Sequence, residues 1–463
     1  MKHKGQLLWI LVPVLIIASV FLVTLGSLLP QRNQVTMEHT VLYGDPTAAE
    51  GLEAVCRTAF QDQLFWETSI RPGVSPDVET SYDFRFKKQE STYAQECGFN
   101  MNSTCSYDAS YLESVGASSQ PLEDAIADLE AETGIGEMKS RRYPLRQFFD
   151  NYLIEYYIYF PYTKNRSLLV DIDETVFSDF FRIPVLPEEQ IVITYDKTDY
   201  PDGVISTEVD GGFPTRTCSV FTDDAVYFSF DSVAGDGRYV DTSLIPGGYG
   251  IYRLPYAKVT SSGSSPSYTV QSEELSNCFS LDPTVRVCDL RLDSRQETLF
   301  LYTQEGEKNW LTLLDTDTME ILQRLCLSGK EMDASPWYQD DDFFVLSDGY
   351  ELLLFAKNED GRFEKQLKTS LSPSEEPLFH LSYKATMAWD GRQLAITSVS
   401  PKEENEWVTT AFLLAVYDES GLRYIGRFDP VLNPTARPED FNYFCQSPDN
   451  ALPEIHWEVK SKL

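Results

Sequence analysis

The chain of 463 residues carries 38 Lys and Arg against 72 Asp and Glu, which gives a formal net charge of −34. This acidity excludes a non-specific nucleic-acid-binding protein, because such proteins need basic surface to displace phosphate counterions. With 42% hydrophobic residues, among them 27 Phe, 26 Tyr and 7 Trp, the chain can bury a substantial core and is not disordered.

The N-terminus combines a short basic segment with a long apolar run. After MKHKGQ, the residues from Leu7 to Leu29 carry no charge. As a helix this run would be about 35 Å long, enough to cross a bilayer core of about 30 Å. Lys2 and Lys4 precede the run, and basic flanks stay on the cytoplasmic side. We therefore predict a transmembrane signal anchor at 1–30, which makes this a single-pass protein of the cell membrane with the bulk of the chain extracytoplasmic.

A cleaved signal peptide is the alternative interpretation of this run. The apolar region of such a peptide has about 7–15 residues and ends at a small-x-small site. The run here is longer, and no clean A-x-A follows it. A lipoprotein signal does not fit either, because the first cysteine is Cys56. The sequence therefore favours an uncleaved anchor.

The 8 cysteines all lie outside the predicted anchor. An even number in an extracytoplasmic region is compatible with disulfides. Cys97 and Cys105 would close a short loop and are the first candidate pair for a disulfide. The alternative is a set of buried thiols that act as small apolar side chains. No C-x-x-C is present, so the motif of zinc ribbons and thioredoxin-like proteins is missing.

Residues 31–150 are predicted to form a mostly β region with one helix. The segments GLEAVCRTAF, QLFWETSI and SYDFRFKKQ are rich in aromatic and β-branched residues, which favours strands. A helix is predicted near 120–133, because apolar residues recur there on one helical face and Gly134 suits its end. A further strand is predicted from Ile154 to Phe160. The apolar face of the helix consists of Leu122, Ala125, Ile126 and Leu129.

Short β segments separated by polar turns recur over residues 151–463. Strand-turn-strand units align on Asp315, Ala356 and Asp418, and a charged insertion at 401–407 lengthens the second interval. A period of about 40–50 residues with four strands per unit is typical of radially repeated sheets. The predicted fold class is therefore mainly β, with β-propeller-like repeats of short antiparallel sheets after the transmembrane helix and the one short helix. Two stacked β-sandwiches are the alternative.

The repeats resemble those of β-propellers over roughly residues 150–460. They lack the W-D and G-H signatures of WD40 repeats as a set, and the lone Trp389-Asp390 lies in the turn AWDGRQLA. The order of the anchor, the segments GDP, GL and LFWETS, and then the repeats is similar to that of uncharacterised membrane-anchored extracytoplasmic proteins of Gram-positive bacteria. This resemblance implies a location and a fold but no activity.

Catalytic motifs are missing from the sequence. There is no G-x-S-x-G, no H-E-x-x-H, no P-loop and no Rossmann glycine pattern. His39, His380 and His456 lie in unrelated contexts, so a histidine metal site is not indicated. We predict no catalytic and no cofactor-binding residue.

Carboxylates are the abundant chemical group, and the segment DKTDYPDG comes nearest to a calcium loop. Its Asp196, Asp199 and Asp202 are the candidate Ca²⁺ ligands. Their spacing is three rather than two, and the closing Glu of an EF-hand is missing. With 72 acids in the chain, such clusters are more often solvated turns.

The predicted function is that of a membrane-anchored extracytoplasmic binding protein, with a protein or a cell-envelope polymer as its partner and no nucleic acid. One alternative is an anchored hydrolase that uses loop carboxylates on envelope glycan or peptide. Another is a scaffold for a membrane complex. The aromatic residues considered for stacking on sugars are Trp310, Trp337, Trp407 and Trp457.

Overall fold

The computed structural model describes most of the chain, and the part it describes is mainly β. The described residues are 3–28, 35–60, 64–73, 77–83, 97–104, 120–163, 166–170, 174–199, 202–210, 216–233, 237–259, 267–328, 335–371, 385–399, 411–432, 441–443 and 452–458. Within them the α-helices are α1 (His3–Leu28), α2 (Gln120–Glu132) and α3 (Glu174–Phe180). Short 3₁₀ turns occupy Pro46–Ala49, Leu145–Gln147 and Ser272–Glu274.

The strands are short, and every strand pair that the structure describes is antiparallel. In chain order they are β1 (Val35–Gly44), β2 (Leu52–Phe60), β3 (Leu64–Arg71), β4 (Asp77–Asp83), β5 (Gly98–Thr104), β6 (Met138–Pro144), β7 (Leu153–Thr163), β8 (Arg166–Val170), β9 (Gln190–Asp196), β10 (Val204–Asp210), β11 (Thr217–Phe221), β12 (Ala225–Phe230), β13 (Gly250–Val259), β14 (Ser267–Val270), β15 (Ser276–Ser280), β16 (Arg286–Leu292), β17 (Thr298–Glu305), β18 (Lys308–Asp315), β19 (Ile321–Ser328), β20 (Tyr338–Gln339), β21 (Phe343–Ser347), β22 (Glu351–Lys357), β23 (Phe363–Ser370), β24 (Met387–Trp389), β25 (Leu394–Val399), β26 (Phe412–Asp418), β27 (Gly421–Leu432), β28 (Phe441–Tyr443) and β29 (Glu454–Trp457).

The chain divides into two compact units. Unit 1 consists of residues 1–93 together with 336–463, and unit 2 consists of residues 94–335. The domain boundaries predicted at 30/31 and 150/151 do not coincide with the limits of these units and stay predictions.

Unit 1 joins strands from the two ends of the sequence. Strand β1 is the edge of the sheet β1-β27-β26-β25-β24, and β2 lies between β3 and the late strands β28 and β29. The third sheet has the order β20-β21-β22-β23. At the end of β1, Gly44 has φ +75°, and a Cβ there would collide with the carbonyl oxygen of Arg423. This position therefore requires glycine.

Within its described residues, unit 2 contains four antiparallel sheets. Their orders are β5-β7-β8, β10-β9-β6, β11-β12-β13-β14 and β16-β17-β18-β19, and β15 also pairs with β13. Strand β9 alternates between half-buried and buried side chains, whereas β12 is buried at every position. Alternation is typical of a sheet with one covered face, and continuous burial is typical of a strand covered on both faces. The core of this unit is strongly aromatic, with Tyr249, Tyr252, Phe181, Phe228 and Phe230 almost fully buried.

Several predicted elements are confirmed. Helix α2 spans Gln120–Glu132 and buries Leu122, Ala125 and Leu129, as the 3.6-residue periodicity indicates. Strand β7 includes the segment predicted from Ile154 to Phe160. The strand-turn-strand units predicted around Asp315, Ala356 and Asp418 correspond to the hairpins β18–β19, β22–β23 and β26–β27.

The predicted transmembrane helix needs a correction. A helix does form at the N-terminus, because α1 covers 26 residues with Pro13 inside it. Its described apolar side chains are exposed, from Val12 at 47% to Val23 at 73%. Over the residues that the structure describes, however, no helix combines the length and the hydropathy that a membrane span needs.

The predicted disulfide also lacks support. Cys97 is present as a free thiol, and Cys105 lies outside the described residues. Burial is the main reason why the pKa of the Cys97 thiol is raised. The thiols of Cys218 and Cys278 donate hydrogen bonds to the carbonyl oxygens of Cys288 and Ile251, each at 3.3 Å. These contacts fit the alternative of buried thiols packed as small side chains.

Candidate functional site

The three candidate calcium ligands do not form a site in the structure. Asp196 ends β9, and one of its carboxylate oxygens accepts hydrogen bonds from the backbone N–H and the hydroxyl of Thr198 at 2.8 and 2.5 Å. These bonds lower the pKa of Asp196. The backbone carbonyl of Asp202 accepts the hydroxyl of Tyr195 at 2.9 Å. In the described part of the chain, no three His, Cys, Asp or Glu side chains lie close enough together to hold a metal ion.

The tryptophans considered for ligand stacking have structural partners. The indole N–H of Trp337 donates to the carbonyl of Ser347, and that of Trp457 to the carbonyl of Ala388, each at 3.2 Å. The guanidinium of Arg324 covers Trp310 at 4.6 Å from the ring centroid. Trp407 lies outside the described residues.

A cavity of about 530 Å³ in unit 2 is the candidate functional site, and we call it the Arg253 pocket. Three hairpin turns surround it, namely β11–β12, β16–β17 and β18–β19, while β12, β13 and β15 contribute strand residues to its wall. Pockets of 300–1,000 Å³ commonly hold small ligands or single side chains of a partner. The residues that line it include Asp223, Asp224, Tyr227, Arg253, Cys278, Arg295, Gln296, Glu297, Thr316, Asp317 and Met319.

Arg253 is held by an ion pair and by a buried phenol. Its guanidinium contacts the carboxylate of Asp224 at 2.7 Å, and its Nε donates to the hydroxyl of Tyr227 at 3.3 Å. That hydroxyl in turn donates to the carbonyl of Thr316 at 3.2 Å. Burial acts to lower the pKa of Arg253, but Tyr227 and Asp224 outweigh it, and the pKa is raised. The guanidinium is therefore a fixed positive charge at the pocket wall.

The turns beside Arg253 include two residues with a left-handed backbone. Gln296 has φ +62° and Met319 has φ +56°, and both line the pocket. These are the two non-glycine residues with positive φ in the described part of the chain. Such backbone costs free energy and persists where surrounding bonds hold it. Here the hydroxyl of Thr316 donates to the carbonyl of Gln296 at 2.8 Å, which ties the two turns together.

Most of the charged side chains at the mouth of the pocket have no ion pair. Within the described residues, Asp223, Glu297, Asp317 and Arg295 are exposed and form no salt bridge. Three carboxylates and one guanidinium are thus available to a ligand. Since Asp224 already neutralises Arg253, the available groups are net acidic.

Cys278 contributes a thiol to the same pocket. Burial raises its pKa to about 12. The thiolate is the nucleophilic form of cysteine, so at neutral pH this side chain is not activated for covalent chemistry.

One of the turns that line this pocket belongs to a short sequence repeat, which the motifs considered in the sequence do not include. Asp293-Ser294-Arg295-Gln296 and Asp390-Gly391-Arg392-Gln393 share the pattern D-x-R-Q, and each forms a turn between two strands. A carboxylate oxygen of Asp293 accepts the N–H of Glu297 and Thr298 at 2.8 and 3.0 Å. Asp390 accepts the N–H of Arg392 and Gln393 at 2.8 and 2.6 Å. The second copy lines a cavity of about 690 Å³ in unit 1, which we call the Trp389 pocket.

Comparisons with known proteins find a general likeness to solved structures but do not assign the chain to a family. No family model matches the chain, and no curated protein matches it. Among solved structures, a putative 6-phosphogluconolactonase from Bacteroides fragilis is 8% identical, with 86% of this chain and 99% of that chain covered and a TM-score of 0.29. The β-propeller domain of Cps50 (Swd1) from Myceliophteria thermophila is 10% identical, with 53% and 67% covered and a TM-score of 0.25. A hypothetical selenium-binding protein from Sulfolobus tokodaii is 12% identical, with 89% and 96% covered and a TM-score of 0.23.

Proposed function

We propose that this protein is an extracytoplasmic binding protein that captures a basic segment of a partner protein in the Arg253 pocket. The observation that carries the proposal is the set of three exposed carboxylates, Asp223, Glu297 and Asp317, that have no ion pair within the described residues. Lysine or arginine side chains of a partner would supply the missing counter-charges. The net charge of −34 would also steer a basic partner towards the protein.

The fixed part of the pocket suits recognition. Asp224, Tyr227 and Arg253 hold one another through hydrogen bonds and an ion pair. The pocket wall is thus ordered before a ligand arrives, and preorganisation lowers the entropy cost of binding. Arg253 and Arg295 supply positive charge that can contact backbone carbonyls of the bound segment.

The proposal also includes a β-propeller fold and a location at the membrane. A β-propeller is supported by consecutive four-stranded antiparallel sheets, β16–β19 and β20–β23, with polar hairpin turns between strands. A membrane location is supported by the uncharged run from Leu7 to Leu29 and by Lys2 and Lys4 before it. Fractionation of intact cells, with protease added from outside, tests the location. Recovery of the full-length chain in the cytosolic fraction would contradict it.

The binding experiment uses the full chain and a fluorescent deca-lysine peptide as the probe. The double change Asp223→Asn and Asp317→Asn should weaken binding about fivefold at low salt, because it removes two available carboxylates. Added salt should weaken binding to the unchanged protein, because exposed charges are screened.

A matched control separates the pocket from the general acidity of the chain. Glu359→Gln with Asp360→Asn removes the same charge from the hairpin between β22 and β23 in unit 1, where both residues are exposed. We expect this control to bind deca-lysine like the unchanged protein. Equal losses in both double variants, or no loss in either, would overturn the assignment of the Arg253 pocket.

A further inference from the structure

The Trp389 pocket in unit 1 has a different composition from the Arg253 pocket, and it suggests a second ligand. Its volume of about 690 Å³ exceeds that of the other cavity. It is formed by the turn between β24 and β25, the turn between β26 and β27, and Gln366 of β23. The two pockets lie in different units, so a ligand of the Trp389 pocket does not depend on the function proposed for the Arg253 pocket.

Trp389 provides a fixed aromatic surface in this pocket. The indole is half-buried and packs against the hydrophobic cluster that contains Leu394, Tyr417 and Leu422. Trp389 is also one of the residues that line the cavity. Its N–H has no hydrogen-bond partner among the described residues, so it is available to a ligand. A rigid indole with one polar group is suited to a flat ligand that has an apolar face and hydroxyl groups at its edge.

Two of the carboxylates in the pocket are occupied by the protein itself. Asp390 accepts the N–H of Arg392 and Gln393 in its own turn. Asp418 accepts the N–H and the hydroxyl of Ser420 and forms an ion pair with Arg423 at 3.4 Å. These bonds hold both carboxylates in place, and each keeps its negative charge.

The groups left available are mostly hydrogen-bond donors. Within the described residues, the exposed guanidinium of Arg392 forms no ion pair, and the side-chain amide of Gln393 forms no hydrogen bond. An arginine in this state can bind a carboxylate with two parallel hydrogen bonds. The lining contains three carboxylates, Asp390, Asp418 and Glu419, against the guanidiniums of Arg392 and Arg423, so its net charge is −1 and an anionic ligand depends on direct pairing with Arg392.

We infer that the Trp389 pocket binds a pyranose saccharide that carries a carboxylate. The sugar ring stacks on Trp389, its hydroxyl groups bond to the amide of Gln393 and to the amide oxygen of Gln366, whose Nε2 already donates to Glu364 at 3.1 Å, and its carboxylate pairs with Arg392. The volume of about 690 Å³ lies within the range of 300–1,000 Å³ that is common for pockets that bind small molecules. A neutral sugar can stack on the indole and bond to the side-chain amides, but it has no carboxylate to pair with the guanidinium of Arg392.

Calorimetric titration of the full chain with trigalacturonate tests the inference, and maltotriose serves as the neutral comparison. We expect trigalacturonate to bind and Trp389→Ala to weaken its binding about tenfold, because the stacking surface is lost. Trp389→Phe keeps an aromatic ring and should retain most of the affinity. Arg392→Gln should also cost about tenfold for trigalacturonate while leaving the affinity for maltotriose unchanged.

The controls lie in the same unit. Tyr350→Ala removes an aromatic side chain that is 80% exposed, and Arg362→Gln removes an exposed guanidinium from another hairpin. Both should bind trigalacturonate like the unchanged protein. The inference fails if trigalacturonate does not bind, if maltotriose binds equally well, or if the controls lose as much affinity as the pocket variants. Loss of deca-lysine binding in the Arg253 pocket has no bearing on these outcomes.

Discussion

The Arg253 pocket and the Trp389 pocket are built on the same kind of turns but present different groups to a ligand. In both, the aspartate of a D-x-R-Q turn caps backbone N–H groups, and a second hairpin of the same sheet lies alongside. In the first, three carboxylates are available around a guanidinium that is already paired. In the second, Trp389 lines the cavity, and Arg392, like Arg295 in the first, forms no ion pair within the described residues. The aspartates of the shared turns accept backbone hydrogen bonds, and the pockets differ in the residues beside these turns, namely an indole in one and additional carboxylates in the other.

The largest effect should come from a nearly buried ion pair in unit 2, when it is compared with a more exposed ion pair in unit 1. Asp231 in unit 2 is 6% exposed and contacts Arg286 through two bonds of 2.6 and 3.1 Å. Asp429 in unit 1 pairs with Arg427, and both side chains are about one-third exposed. Asp231→Ala should lower the free energy of unfolding of unit 2 by about 2 kcal/mol, because it leaves a half-buried guanidinium unpaired. Asp429→Ala should cost unit 1 less than about 1 kcal/mol.

Hydrogen exchange followed by mass spectrometry measures the two losses separately. Protection should fall in β16 for Asp231→Ala and change little in β27 for Asp429→Ala. Similar losses of exchange protection in the two variants would mean that the difference in burial does not determine how much each ion pair stabilises its unit.

The turn aspartates should give a smaller effect of equal size in the two units. Asp293→Ala and Asp390→Ala each leave two backbone N–H groups without an acceptor, at a cost of about 1 kcal/mol. Asparagine keeps an acceptor oxygen and tolerates turn conformations, so the corresponding Asn variants should lose much less. Urea unfolding of the four variants measures this difference. If Asn costs as much as Ala, the hydrogen bonds are not what stabilises these turns.

Local patterns in the sequence predicted helix α2 and strands such as β7, but neither helix α3 nor the distant partners of the strands. The 3.6-residue spacing of Leu122, Ala125 and Leu129 was sufficient for α2, because a helix is stabilised by bonds within one segment. Strand β1 pairs instead with β27, nearly 400 residues away, and no local signal marks that pairing. For the same reason the two pockets could not be predicted, since each combines turns from separate hairpins. The D-x-R-Q repeat is the signal that could have indicated them.

A difference in histidine content gives the last and smallest contrast between the units. Residues 94–335 contain no histidine, whereas His39 in unit 1 lies in β1, with its Nε2 2.6 Å from the hydroxyl of Tyr424 and its ring stacked on Phe428. Burial lowers the pKa of His39 below its usual 6.5. The neutral ring therefore stabilises the folded state above about pH 6.5, and this contribution is lost as the pH falls through the lowered pKa.

On going from pH 7.5 to 5.5, exchange protection should accordingly fall in β1 and β27. The glutamine in His39→Gln cannot gain a proton at these pH values. This variant should therefore abolish the part of the loss of protection that is due to protonation of His39. Strands β16–β19 of unit 2 serve as the internal reference, because no histidine titrates there. Equal loss of protection in both units, or an unchanged loss in His39→Gln, would show that carboxylates rather than His39 control the acid response, since the protonation of paired carboxylates also destabilises proteins below neutral pH.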